Sequence, residues 1–142
     1  MAKVKKSIVI NATVEKVYDY LVDQQNQINW MPSLVGLWDI SETGEGQHYK
    51  WKYKMSGVML EGETAVIETV PNKRIGTKTK GAVSSEWLLV FDATDEGTSL
   101  EMNIDYTVPI PVLGKVAERI ILKRNEREAV SALENIKEIM ES

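Results

Sequence analysis

The chain has 142 residues, 43% of them hydrophobic, and a formal charge of −4. That reads as one ordinary domain over 1–142, with apolar material for a core and a cavity, and its acidic balance argues against a nucleic-acid partner. There is no cysteine and a single histidine, which excludes disulfides, a thiol nucleophile, thiolate metal sites and multi-histidine clusters; no metal or other cofactor is expected.

The first six residues are basic but only Ile8, Val9 and Ile10 follow before Asn11, too short an apolar run for a signal peptide. No later stretch is long enough to span a bilayer, so a cytoplasmic location is expected. Residues 3–10 read as a first strand. Thr13 is a fair N-cap, with Glu15 in the first turn of a short helix whose Val14, Val17, Tyr18 and Leu21 share one side. Residues 24–30 suggest a second short helix, ended by Pro32.

Six strands then meander through 34–42, 47–55, 58–70, 73–81, 85–93 and 97–108. The clearest is 47–55, where Tyr49, Trp51, Tyr53 and Met55 alternate with His48, Lys50, Lys52 and Lys54, giving an aromatic face and a cationic face. A two-residue turn at Ser56-Gly57 places Lys52 against Glu61, Lys50 against Glu63, Tyr53 against Leu60 and Trp51 over Gly62. A turn at Gly44-Glu45 would set Trp38 against Trp51, Ile40 against Tyr49 and Asp39 against Lys50. Pro71-Asn72 pairs Thr64 with Thr79, Val66 with Thr77 and Glu63 with Lys80. A loop at 82–84 puts Trp87 on the inner face opposite Thr79. Asp95-Glu96 pairs Trp87 with Ile104, Leu89 with Met102 and Phe91 with Leu100. One register thus runs through the sheet without conflict.

Pro111 suits the first turn of a long helix, 112–140, about 29 residues and roughly 43 Å. Leu113, Val116, Ala117, Ile120 and Ile121 give its first half an apolar stripe, and Ala129, Leu133, Ile136 and Met140 do so near its end. Between them 123–128 is polar on every side. A helix buried against a sheet should keep its stripe, so either the sheet holds space there or the run meets solvent.

This order of elements, with the run Ile10-Asn11-Ala12-Thr13-Val14-Glu15-Lys16-Val17-Tyr18, the step Trp30-Met31-Pro32, the run Val66-Ile67-Glu68-Thr69-Val70-Pro71 and the 111–140 helix, resembles the START/Bet v 1-like (SRPBCC) superfamily. The branch it looks like is the polyketide cyclase/dehydrase and lipid-transport-like one, and the resemblance covers essentially the whole chain. It implies an α+β helix-grip fold: a seven-stranded curved antiparallel sheet around a long C-terminal helix, with two short helices after strand 1 and an elongated apolar cavity between sheet and helix. Members bind lipids, sterols, polyketides and plant hormones; some are cyclases or hydrolases, and others act through protein partners. Here Gly44-Glu45-Gly46 is only a turn, where plant members carry a longer glycine-rich loop, and one histidine cannot make the iron site of the oxygenase members.

The expected ligand-binding set is Trp38, Tyr49, Trp51, Tyr53, Trp87, Leu89, Met102, Ile104 and Tyr106 from the sheet, with Leu113, Ala117 and Ile120 from the helix. Inward aromatics either line a pocket or fill a core; their many O–H and N–H groups suit a partly polar pocket. His48 falls on the outward face, Glu68 points inward near a strand end, and Arg124 and Arg127 either meet an anionic head group or stay solvated. No carboxylate dyad, nucleophile–base pair or metal cluster can be read, so no catalytic residue is named. Met55, Val58 and Met59 at one hairpin tip and 109–112 at the neighbouring corner leave open ordinary packing, a cavity gate, peripheral membrane contact or contact with a protein. Val35 and Leu37, read as outward, hint at a homodimer surface or at packing beneath the short helices. The leading expectation is a carrier or sensor for a hydrophobic small molecule such as a lipid, polyketide or aromatic metabolite. The alternatives are a cyclase or dehydratase enzyme and a chaperone- or ribosome-associated interaction module.

Overall fold

The computed structural model describes residues 2–55, 57–81, 83–107 and 118–142, with the side chains at 2, 55 and 118–122 outside that description. Seven antiparallel strands form one sheet in the order β1-β7-β6-β5-β4-β3-β2. They are β1 Ala2–Ile10, β2 Leu34–Trp38, β3 His48–Met55, β4 Val58–Val70, β5 Arg74–Gly81, β6 Ser85–Thr94 and β7 Gly97–Tyr106. Between the two edge strands run α1 (Val14–Val22), a 3-10 turn (Gln24–Asn26) and the single turn α2 (Gln27–Trp30). The chain closes with α3, Glu118–Glu141, packed against β1 and α2. This is the helix-grip fold.

Local chemistry accounts for the short helices. Thr13 is extended at the N-cap, and its hydroxyl accepts from the Lys16 amide at 3.3 Å. Val17, Tyr18 and Leu21 are buried, and Tyr18 meets Phe91 edge to face at 5.4 Å. Asp23 caps the 3-10 turn through the Gln25 amide.

Most of the sheet keeps the register that the side chains dictate. Lys52 lies opposite Glu61, Lys50 opposite Glu63, Tyr53 opposite Leu60 and Trp51 opposite Gly62. Thr64 pairs with Thr79, and Trp87 with Ile104, Leu89 with Met102, Phe91 with Leu100. Gly62 is required: a Cβ there would collide with the Trp51 indole and lie 2.5 Å from the Lys80 carbonyl.

Three expectations are corrected. In β2 a bulge between Leu34 and Gly36 shifts pairing by one residue. A one-residue slip moves each side chain to the other face, so Leu37 faces Trp51 and Trp38 faces Lys50 on the outer side. Trp38 is exposed, with the Lys52 ammonium 5.8 Å from its ring centroid. The strand stops at Trp38 because Asp39 takes a positive φ of 53°, and 39–47 forms a longer connection than a tight turn. In β4 a bulge between Val66 and Glu68 carries Glu68 to the outer face, where Arg74 Nε meets its carboxylate at 2.5 Å. At the start of β6, Trp87 stays on the inner face but stands opposite Thr77, with Ser85 opposite Thr79. Lys80 and Gly81 go on pairing with β4 after β5 has parted from β6, which places the β6 register two residues earlier.

The inner side is solid at one end and hollow at the other. Large residues of α3 (Leu133, Ile136 and Met140) are fully packed in a core shared with Ile10, Val17, Leu21, Phe91, Leu100 and Met102. One turn before Leu133 and Ile136, α3 presents Ala129 and Ala132. Alanine leaves unfilled the volume that a leucine would take, and a cavity begins there.

Candidate ligand-binding cavity

Six of the expected residues meet around this cavity: Tyr49, Trp51 and Tyr53 from β3, Trp87 from β6, and Ile104 and Tyr106 from β7. Its volume is about 110 Å³. At about 10–15 Å³ for each water-sized guest, that is room for roughly ten heavy atoms. Leu89 and Met102 lie on the same face but are core residues that do not line it, and Trp38 is on the opposite face of the sheet. Leu113 and Ala117 lie outside the described residues, as does the side chain of Ile120.

Sequence reasoning missed the helix wall. Asn125, Glu128, Ala129 and Ala132 line the cavity from α3, at the spacing of one helix face. The signal was the polar interruption at 123–128: the sheet holds space there, and Asn125 and Glu128 face it. Arg124 and Arg127 are exposed, with Arg124 Nε 3.5 Å from Glu128 Oε1. Gln27, Met31 and Leu34 add a wall from α2 and the start of β2. His48 is exposed on the outer face. Met59 is exposed at its hairpin, whereas the Met55 side chain and residues 109–112 lie outside the described residues.

Polar groups are set into this apolar surface in three clusters. The Tyr49 hydroxyl donates to Gln27 Oε1 at 2.8 Å, with buried Gln24 Oε1 at 3.2 Å. Trp51 Nε1 donates to Thr64 Oγ1 at 3.0 Å, and Thr64 Oγ1 lies 2.8 Å from Thr79 Oγ1. Glu128 accepts hydrogen bonds from the Tyr53 and Ser33 hydroxyls, one from β3 and one from the turn before β2. Its side chain is only 17% exposed.

The register aligns the first two of these clusters. Tyr49 is opposite Thr64, Thr64 opposite Thr79, Thr79 opposite Ser85, and Ser85 opposite Tyr106. Five hydroxyl side chains therefore form one row across five strands, and all five line the cavity. Neighbouring strands are about 4.8 Å apart, so the row spans roughly 19 Å. The Tyr106 hydroxyl at its end is buried with no hydrogen-bond partner among the described residues.

Burial pushes the Tyr49 and Tyr53 phenols above their ordinary range, and for Tyr53 the adjacent Glu128 carboxylate adds to it. Both are neutral O–H donors at physiological pH. No group of three or more metal-ligating side chains is found among the described residues. Nor is any helix among them long and apolar enough to cross a membrane.

Among solved structures the chain is similar to TTHA0849 from Thermus thermophilus, at 20% identity and TM-score 0.84, covering 96% of this chain and 95% of that one. It is similar to the Zhui aromatase/cyclase from Streptomyces sp. R1128, at 16% identity and TM-score 0.79, covering 99% and 93%. It also matches the di-domain ARO/CYC StfQ from the steffimycin biosynthetic pathway, at 18% identity and TM-score 0.79, covering 98% of this chain and 50% of that one. No curated protein matches the sequence. These likenesses establish the fold. The family model described as polyketide cyclase/dehydrase and lipid transport matches residues 1–141, and the chain belongs to that family.

Proposed function

We propose that this protein binds an apolar small molecule between the sheet and α3, as a carrier or sensor. The observation that carries the reading is the hollow itself: two indoles and three phenols on the sheet face two alanines on the helix. Large side chains at those two helix positions would have filled the space, as they do a turn later at Leu133 and Ile136. Native mass spectrometry of freshly purified protein, followed by organic extraction, tests this. A stoichiometric apolar adduct, lost in Ala132→Phe, is the expected result. An apo mass, together with no uptake of naphthalene by the folded protein, would contradict it.

One observation favours a second reading, an enzyme of the cyclase or dehydratase type. Glu128 and Tyr53 form a carboxylate–phenol pair inside the cavity, a pairing able to exchange protons with a bound carbonyl compound. On that reading Tyr53→Phe abolishes turnover of a β-keto substrate while leaving its binding intact. Equal losses of turnover and binding would count against it.

A further inference from the structure

Glu128 is the one formally charged side chain among the described residues that line the cavity. A carboxylate offers about four acceptor sites. Two are engaged by the Tyr53 and Ser33 hydroxyls, and Arg124 stands 3.5 Å away on the exposed side. Arg124 does not line the cavity, nor does any other described lysine or arginine. Among the described residues, therefore, an anionic guest meets the Glu128 carboxylate and no cation lining the cavity to pair with. A guest carrying an O–H group would find a carboxylate with acceptor capacity to spare.

We propose that Glu128 sets the chemical class of the ligand: an uncharged, hydroxyl-bearing aromatic molecule is taken, and a carboxylate of the same shape is refused. The inference rests on the cavity being the binding site and adds the polarity of what it holds. The guest's hydroxyl donates to Glu128 on the helix side, and its ring lies against Trp51, Trp87 and Ile104. Fatty acids and aryl acids are excluded by charge, whatever their fit.

Equilibrium dialysis with naphthalene, 2-naphthol and 2-naphthoate at neutral pH tests this, since a ten-carbon frame matches the room available and each compound reports by its own fluorescence. The expected order is naphthol about five- to ten-fold tighter than naphthalene, as for a hydrogen bond to a charged acceptor. Naphthoate should bind at least about tenfold more weakly than naphthol, because like charges would be forced together. In Glu128→Gln the naphthol advantage shrinks to about twofold and the naphthoate deficit narrows about tenfold. If that variant does not fold, Ser33→Ala serves instead: it frees an acceptor site on Glu128, and naphthol should tighten about two- to three-fold while naphthalene does not change. Naphthoate binding as well as naphthol, or unchanged ratios in the variant that folds, would overturn the role of Glu128 while leaving the cavity as the binding site. Failure of all three compounds to bind the folded protein would remove the cavity reading itself.

Discussion

At the scale of single residues, two contacts define the sheet's inner surface. Trp51 lies across Gly62 so closely that a methyl group there would collide with both the indole and the Lys80 carbonyl. Gly62→Ala should therefore cost about 1–3 kcal/mol, measured as a shift of the urea midpoint with an unchanged slope. The buried phenols make the second contact. Tyr49 and Tyr53 ionise less readily in the fold than in the unfolded chain. A raised folded value means that their contribution is fully present below the ordinary phenol value of about 10 and is lost as pH rises beyond it. Thermal stability should hold to about pH 9.5 and fall above it, with a shallower fall in Tyr53→Phe; identical alkaline limbs would contradict this. The Trp51–Gly62 pair was legible in the sequence because strand alternation and a two-residue turn fix it together. The partner of Tyr53 was not, because Glu128 lies 75 residues away on a helix whose rotation strand pairing does not determine.

At the scale of elements, α3 is held at its C-terminal end by β1 and α1. The Asn11 amide donates to Glu141 Oε2 at 2.7 Å, Lys137 Nζ bonds the Val9 carbonyl at 2.8 Å, and Lys16 Nζ bonds the Met140 carbonyl at 2.9 Å. The Asn11 amide, then Lys137, holds the Glu141 carboxyl below its usual value. A lowered folded value gives stability that is present above the usual carboxylate range near 4.3 and lost as pH falls through it. Glu141→Gln should flatten the acid limb of the stability profile below about pH 5, followed by thermal melts; an unchanged limb would show that the clamp does not form. The strand order and the helix itself could be read from periodicity and turn residues. The bulges in β2 and β4 could not: each inserts a residue without altering the apparent alternation, and so Trp38, Leu37 and Glu68 came out on the wrong faces. Trp38 on the outer face is accommodated by Lys52 rather than by burial.

At the scale of the whole molecule, side-chain size along α3 divides the interior. Leu133, Ile136 and Met140 close one end, and Ala129 and Ala132 with Asn125 and Glu128 leave the other open. The sequence showed this division as a lapse in the apolar stripe, without showing whether the polar run faced a cavity or solvent; only the packing of α3 on the sheet decides that. The most direct test of the cavity as the binding site is equilibrium dialysis of naphthalene against the wild-type protein and Ala132→Phe, with melting temperatures measured alongside. The account predicts saturable binding of about one equivalent to the wild type. It predicts at least about tenfold weaker binding to the variant, whose added ring fills the space without unfolding the chain. Equal naphthalene affinity in two folded proteins would place the ligand elsewhere and contradict the account.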